Sequence, residues 1–86
     1  MASKLRIVLL PQAVEDLRLI YDPLYSQIIH RFSLLAEFPE MGAALPSEMG
    51  GWRATLVGIF RIFYQVKPDR IEIGYIRHCR RAPPEF

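Results

Sequence analysis

The sequence is poor in the residues that build disulfides and metal sites. A single cysteine, Cys79, is found among 86 residues, which excludes an internal disulfide framework and is what a reducing cytosol permits. Only two histidines are present, and no group of His, Cys, Asp and Glu has the spacing of metal ligands. We therefore expect neither a metal nor another cofactor.

Long apolar runs are also missing. None approaches the roughly 20 residues needed to span a bilayer, and the opening MASKLRIVLLPQ has too short an apolar segment for a secretory signal. There is no internal repeat or low-complexity tract, and the length suits one modest core. We expect a single domain over residues 1–86, soluble in the cytoplasm and without a membrane partner.

The charged residues are divided unevenly along the chain. Residues 1–51 carry four basic and six acidic side chains, whereas residues 52–86 carry seven basic and three acidic ones, so the halves have net charges of −2 and +4. A basic carboxyl-terminal half favours an anionic partner such as a phosphate. The alternative is a solvated sheet edge whose lysines and arginines oppose aggregation. The charge count leaves both interpretations open.

The apolar pattern predicts one strand, two helices and three further strands. The predicted strands cover residues 5–10, 52–57, 60–67 and 70–77, and the helices cover residues 12–21 and 23–37. Asp22-Pro23 supplies the start of the second helix, and three glycines and a proline in residues 40–51 indicate a loop. The order β-α-α-β-β-β predicts an α+β fold in which a two-helix hairpin covers one face of a mainly antiparallel, twisted sheet.

Residues 52–81 form the stretch around which the rest of the chain is organised. Side chains alternate along a strand, so strict alternation places Ile71, Ile73 and Tyr75 on one face of the last strand. That strand ends in the densest basic cluster of the chain. The cluster comprises Arg77, His78, Arg80 and Arg81.

Four segments of the chain carry a family resemblance. Each segment resembles one part of the same superfamily. The opening helix is resembled by PQAVEDLRLIY, and the end of the second helix with its loop is resembled by LLAEFPEMG. The central strand is resembled by GIFRIFYQV, and the last strand by RIEIGYIRHCRR. This is the RelE/ParE superfamily of toxins from bacterial type II toxin-antitoxin systems. The similarity covers essentially the whole chain. It implies the RelE/ParE-like fold and a cognate antitoxin as partner in a toxin–antitoxin hetero-oligomer.

Members of this superfamily act in two different ways. RelE-like proteins are endoribonucleases that cut messenger RNA without a metal, commonly at the ribosome, whereas ParE-like proteins poison DNA gyrase. In metal-free cleavage the 2′-hydroxyl attacks the adjacent phosphate, so the site needs a base, an acid and cations that stabilise the developing charge. Arginine suits the cationic role because its planar fork matches phosphate oxygens. The resemblance implies that Arg61 on the central strand and Arg81 beyond the last strand bind the scissile phosphate.

Two further catalytic candidates each have a structural alternative. Arg53 falls where RelE-like enzymes carry the first of two lysines, although Thr55 replaces the second lysine and removes a candidate base. A solvated strand residue is the alternative for Arg53. His78 is the residue of the basic cluster whose ordinary pKa lies near neutrality, which suits a general acid or base. ParE-like proteins also often carry a histidine followed by arginine here, so His78 does not separate the two classes.

The expected RNA contacts are cationic and aromatic. Phe86 stands where the ribonucleases of the family often end with a tyrosine that stacks on a codon base. A phenylalanine ring can stack, but it has no hydroxyl proton to donate. Arg53, Arg77 and Arg80 complete the expected RNA-binding set.

Three functions stay open at this point. We rank a messenger RNA endoribonuclease first, a gyrase inhibitor second, and a degenerate module that only binds its antitoxin third. The segment LAEFPEMG and the missing lysine and tyrosine favour the second. In the first two cases an acidic, partly disordered antitoxin tail is expected to cover the groove between helices and sheet and to neutralise the carboxyl-terminal arginines.

Overall fold

The computed structural model describes residues 4–86, so the first three residues of the expected domain and of the opening segment lie outside the described range. The elements, in chain order, are β1 (Arg6–Leu9), α1 (Pro11–Arg18), α2 (Leu24–Glu37), β2 (Ala43–Ala44), β3 (Arg53–Val57), β4 (Phe60–Val66) and β5 (Arg70–His78), with a 3₁₀ turn at Ser47–Met49. The predicted order is confirmed. Strand β2 and the 3₁₀ turn are additions inside the predicted loop, and both are too short to produce a periodic signal.

The five strands form one mixed sheet in the order β1-β5-β4-β3-β2. Strand β1 runs parallel to β5, and the other neighbouring pairs are antiparallel. Both helices contact the sheet and cover one of its sides, which we call the helix face. The opposite side, which carries Leu56, Arg61, Phe63, Tyr75 and Arg77, is called the open face. This arrangement confirms the predicted α+β fold.

The hydrophobic core lies between the helices and the helix face. Helix α2 contributes Ile28, Phe32 and Leu35, which recur at helical spacing and are buried. The sheet contributes Val57, Ile62, Tyr64, Ile71, Ile73 and Ile76. The two apolar surfaces therefore bury one another, and the open face is left to carry charged and aromatic side chains.

Local hydrogen bonds are found at the start of α2 and at the end of α1. The N-cap of α2 is Pro23 and not Asp22 as predicted, although the carboxylate of Asp22, one residue earlier, still accepts the backbone N–H of Ser26 at 2.9 Å. Helix α1 ends three residues before the predicted end, where the N–H of Leu19 donates to the Asp16 carbonyl at 3.3 Å in a tighter turn. Neither helix in residues 4–86 has the length and apolarity needed to cross a membrane.

Gly74 breaks the alternation of β5. Adjacent residues of β4 pair with Tyr75 and Ile73, which leaves Gly74 without an opposite partner and creates a β-bulge. The bulge turns Tyr75 to the open face while Ile71 and Ile73 stay on the helix face. The prediction that these three side chains share one face is therefore wrong, and Ile76 takes the next inward position.

Candidate functional site

Two arginines lie side by side on the open face. Arg61 of β4 and Arg77 of β5 are directly opposite in register, which places their Cβ atoms about 5 Å apart. Like charges in this position repel one another, and an anion bound between them relieves that repulsion. The guanidinium carbon of Arg77 lies 5.4 Å from the centre of the Tyr75 ring. The arginine pair is therefore a cationic spot suited to a phosphate or a carboxylate.

Arg61 also borders a shallow cavity of about 260 Å³. Its apolar walls include Ala54 and Leu56 of β3 and Leu45 of the preceding loop. A cation at the rim of an apolar cavity suits a ligand that presents an acidic group next to a hydrophobic one.

Two more arginines follow β5 in an exposed turn. The turn is built on His78, whose Nδ1 accepts the N–H of Arg80 at 3.1 Å and whose carbonyl accepts the N–H of Arg81 at 2.9 Å. The N–H of Cys79 donates to the Ile59 carbonyl at 2.8 Å, which fixes the turn against the β3–β4 hairpin. Arg80 and Arg81 are both exposed, so they add cations to the end of β5.

His78 lies on the other side of the sheet from the arginine pair. It is opposite Phe60 in register, and the two rings meet edge to face with centroids 5.9 Å apart. Phe60 packs against the core under the helices. Because side chains alternate along β5, His78 is on the helix face and Arg77 on the open face. The predicted acid or base and the arginine pair are not gathered on one surface.

Arg53 is bound to the loop that precedes β3. Its Nε and Nη2 donate to the Gly42 carbonyl at 3.1 and 2.6 Å, and Nη2 also donates to the Glu40 carbonyl at 3.0 Å. The register places Arg53 on the helix face, opposite Tyr64. Arg53 therefore fixes the loop by hydrogen bonds, and it lies on the opposite side of the sheet from Arg61.

Thr55 is bound by a residue that the sequence did not single out. Arg31 of α2 donates from Nη1 to the Thr55 hydroxyl at 2.6 Å and to the Leu56 carbonyl at 3.0 Å. The hydroxyl is buried on the helix face, so this position does not offer a base to the open face. Arg31 is one of several charged residues along the helices, and only the fold brings it to β3.

Phe86 packs against the open face. Its ring centroid lies 4.8 Å from that of Trp52, 5.7 Å from that of Phe63 and 5.9 Å from that of Tyr75. We call these four rings the aromatic cluster. The ring expected to stack on a codon base stacks on Trp52 here. The signal that would have revealed the cluster is Gly74, because an isolated glycine inside a strand pattern indicates a bulge.

The two ends of β5 differ in charge balance. At its start, Arg70 donates to Asp69 at 2.8 Å and to Glu72 at 2.9 Å. The hydrogen bond from Arg70 holds the pKa of Asp69 below its ordinary value, and the bonds to Glu72 and Asp69 raise the pKa of Arg70. Residues 73–84 contain no acidic residue, so the positive charge at the other end has no such local partner in sequence. Among residues 4–86, no three His, Cys, Asp and Glu side chains are grouped as metal ligands.

The chain matches a toxin family in sequence and resembles chains from two toxin-antitoxin systems in fold. The family described as "ParE toxin of type II toxin-antitoxin system, parDE" matches residues 7–83. A chain of the toxin-antitoxin complex RelBE2 from Mycobacterium tuberculosis has a TM-score of 0.75 and 18% identity, over 91% of this chain and 94% of that one. A chain of the chromosomal ParDE system from P. aeruginosa has a TM-score of 0.69 and 23% identity, over 90% and 98%. No curated protein matches.

Proposed function

This chain belongs to the ParE toxin family of type II toxin-antitoxin systems, and on that premise we propose that it is a cytoplasmic toxin that inhibits DNA gyrase by binding to it. A cognate antitoxin holds it inactive in a hetero-oligomer. Both structural relatives come from toxin–antitoxin systems, which supports the antitoxin partner.

The observation that carries this choice is the separation of the residues that metal-free RNA cleavage needs. Arg61 and Arg77 lie on the open face, His78 lies on the helix face, and Arg53 is committed to loop carbonyls. General acid–base catalysis requires the base within hydrogen-bond reach of the attacking hydroxyl, next to the cations that bind the phosphate. A protein that acts by binding has no such requirement.

The outer surface of the helical hairpin is suited to a protein partner. Leu19 and Tyr21, which connect α1 to α2, are 77% and 79% exposed. Tyr25 and Ile29 of α2 are four residues apart on one side of the helix and are also exposed, so α2 adds an apolar surface of its own. Exposed aromatic and aliphatic side chains that are grouped together mark interaction sites. We assign gyrase binding to this surface.

The test is a supercoiling reaction with purified gyrase and two matched variants. The double variant Leu19→Ser, Tyr21→Ser removes exposed apolar contacts and is expected to lose at least tenfold in inhibitory potency while keeping its circular dichroism spectrum. The control is Leu56→Ser, because Leu56 is 54% exposed and lies on the open face. It is expected to inhibit like the wild type. Equal potency of all three proteins would contradict the assignment.

A ribonuclease is the second candidate, and the arginine pair favours it. Arg61 and Arg77 present two guanidinium groups to the open face, which fits a phosphodiester, and the exposed Arg80 and Arg81 follow in the turn after β5. In this case Arg61→Ala and Arg81→Ala should abolish cleavage of a ribosome-bound message without affecting gyrase. Cleavage of that message by the wild type is the result that would favour this candidate over gyrase inhibition.

A further inference from the structure

The outer edge of β3 is covered over only part of its length. Strand β2 pairs with two residues of β3, Arg53 and Ala54, and the residues that follow lie at the end of the sheet. The Trp52 carbonyl accepts the Leu45 N–H, so it points away from β4. Backbone groups alternate in direction along a strand, so the N–H and the carbonyl of Leu56 point to the same outer edge. Leu56 therefore presents both groups beyond the end of β2.

Arg31 of α2 binds one of these two groups. Its Nη1 donates to the Leu56 carbonyl at 3.0 Å and to the Thr55 hydroxyl at 2.6 Å, so the guanidinium group lies across the edge. Within residues 4–86 no acidic side chain forms an ion pair with Arg31. None lines the cavity of about 420 Å³ that lies beside it between α2 and β3. The edge therefore carries a positive charge that no neighbouring side chain neutralises.

Apart from Arg31, this edge has the features of a surface to which a strand can be added. Leu56 is 54% exposed and lies beside the apolar cavity that Arg61 borders. Residues 54–59 contain no proline and no charged residue, which are common means of protecting an exposed edge. Arginine has donors only, so Arg31 leaves the Leu56 N–H available to an acceptor.

We propose that the edge of β3 is a strand-addition surface for a second copy of this chain, and that Arg31 keeps it closed. In a two-fold antiparallel pair centred on Leu56, each copy donates its Leu56 N–H to the Leu56 carbonyl of the other. Such an edge is complementary to itself, which makes a second copy its natural occupant.

Arg31 opposes this pairing in two ways. Its hydrogen bond to the Leu56 carbonyl must break before that carbonyl can accept a strand, and the two-fold axis would bring two uncompensated arginines together. The wild type therefore stays a monomer. The proposal goes beyond gyrase inhibition and does not depend on it.

The test measures the oligomeric state of the full-length protein by light scattering after size-exclusion chromatography and by sedimentation velocity. A reducing agent is present throughout because Cys79 is exposed. The wild type is expected to be monomeric. Arg31→Met keeps a long side chain without charge or donors, and it is expected to form dimers whose fraction rises with protein concentration.

Two control variants separate the edge of β3 from a general effect of lost charge. Arg18→Met removes an arginine from α1, where its partner is Glu15, and should leave the protein monomeric. The double variant Arg31→Met, Leu56→Pro also removes the outward N–H. Proline is tolerated where the missing N–H faces away from the sheet, so this variant should keep the circular dichroism spectrum of the wild type and be monomeric.

Three results would overturn the proposal. A dimeric wild type would show that Arg31 does not close the edge. A monomeric Arg31→Met protein would show that the edge does not accept a second copy. Dimers of Arg18→Met, or dimers that persist in the double variant, would show that association uses another surface. No sample contains gyrase or antitoxin, so failure here is distinguishable from failure of the proposed function.

Discussion

Single residues decide which side chains reach each face of the sheet. Gly74 inserts the bulge that sends Tyr75 to the open face, and it also leaves room for the ring of Trp52. A Cβ built at Gly74 would overlap the six-membered part of that ring. Gly74 therefore has two roles: it is the bulged residue of β5, and it leaves space for Trp52 in the aromatic cluster.

We predict that Gly74→Ala lowers the free energy of unfolding by about 1–3 kcal/mol, because the added methyl group displaces Trp52. The measurement is urea unfolding followed by circular dichroism. In a Trp52→Ala background the added methyl group does not contact an indole ring, so Gly74→Ala should lower the free energy of unfolding much less than in the wild type. An equal cost in both backgrounds would show that the overlap with Trp52 is not the cause.

A second residue-scale prediction concerns the pH dependence of stability at the start of α2. Hydrogen bonds from the hydroxyl and the backbone N–H of Ser26 lower the pKa of Asp22 below its ordinary value. The folded state binds the Asp22 proton more weakly than the unfolded state does. This contribution to stability is therefore present above the ordinary pKa of aspartate and is lost as the pH falls through the folded-state pKa.

Ser26→Ala removes the hydroxyl donor and keeps the backbone donor. We expect the pKa of Asp22, measured by NMR titration of its carboxyl carbon, to rise part of the way to the ordinary value. The stability difference between wild type and variant should be larger at neutral pH than below the folded-state pKa of Asp22. An unchanged pKa in the variant would show that the hydroxyl is not its main cause.

At the scale of elements, the loop between α2 and β3 is held to the sheet by polar side chains. The hydroxyl of Tyr64 accepts the N–H of Gly42 at 3.0 Å and donates to the Pro39 carbonyl at 2.7 Å, inside the core. Arg53 binds the carbonyls of Gly42 and Glu40 from the neighbouring strand. These hydrogen bonds fix the position of the loop on the sheet although the loop is long.

Arg53 and Arg61 should consequently differ in their effects on stability. Arg53→Ala leaves two loop carbonyls without their donor and is expected to cost about 1–2 kcal/mol. Arg61→Ala, which removes one of two facing cations on the open face, should change stability by no more than about 0.5 kcal/mol. Thermal unfolding of the two variants under one buffer condition checks this. Equal losses would contradict the division between a structural and a binding arginine.

Secondary structure and the placement of single side chains differ in how far the sequence predicts them. Helices, strands and their order are visible in the sequence because apolar periodicity encodes burial over many residues. The face on which Tyr75 lies depends on one inserted residue, and the partners of Arg53 and Arg31 lie in other elements. These features arise from tertiary packing, so the list of candidate arginines did not predict which of them share a surface. The roles proposed for Arg61, Arg77 and Arg81 stay predictions.

At the scale of the whole molecule, the protein has two surfaces with different chemistry. The helical hairpin exposes Leu19 and Tyr21, and the open face carries the arginine pair and the aromatic cluster. The uneven charge of the two halves follows from this division, because β4, β5 and the turn after β5 supply most of the arginines. We propose the hairpin as the surface that binds gyrase, and the arginine pair of the open face is suited to an anionic ligand.

The most direct test of this account is to map messenger RNA ends in cells after induction of the wild-type protein. The account predicts growth arrest with messenger RNA ends unchanged from uninduced cells, because the residues predicted to be catalytic lie on two different faces of the sheet. The double variant Arg61→Ala, Arg81→Ala, expressed to the same level, should arrest growth as well. New ends in frame with codons that are absent with the double variant would contradict the account and establish a ribonuclease.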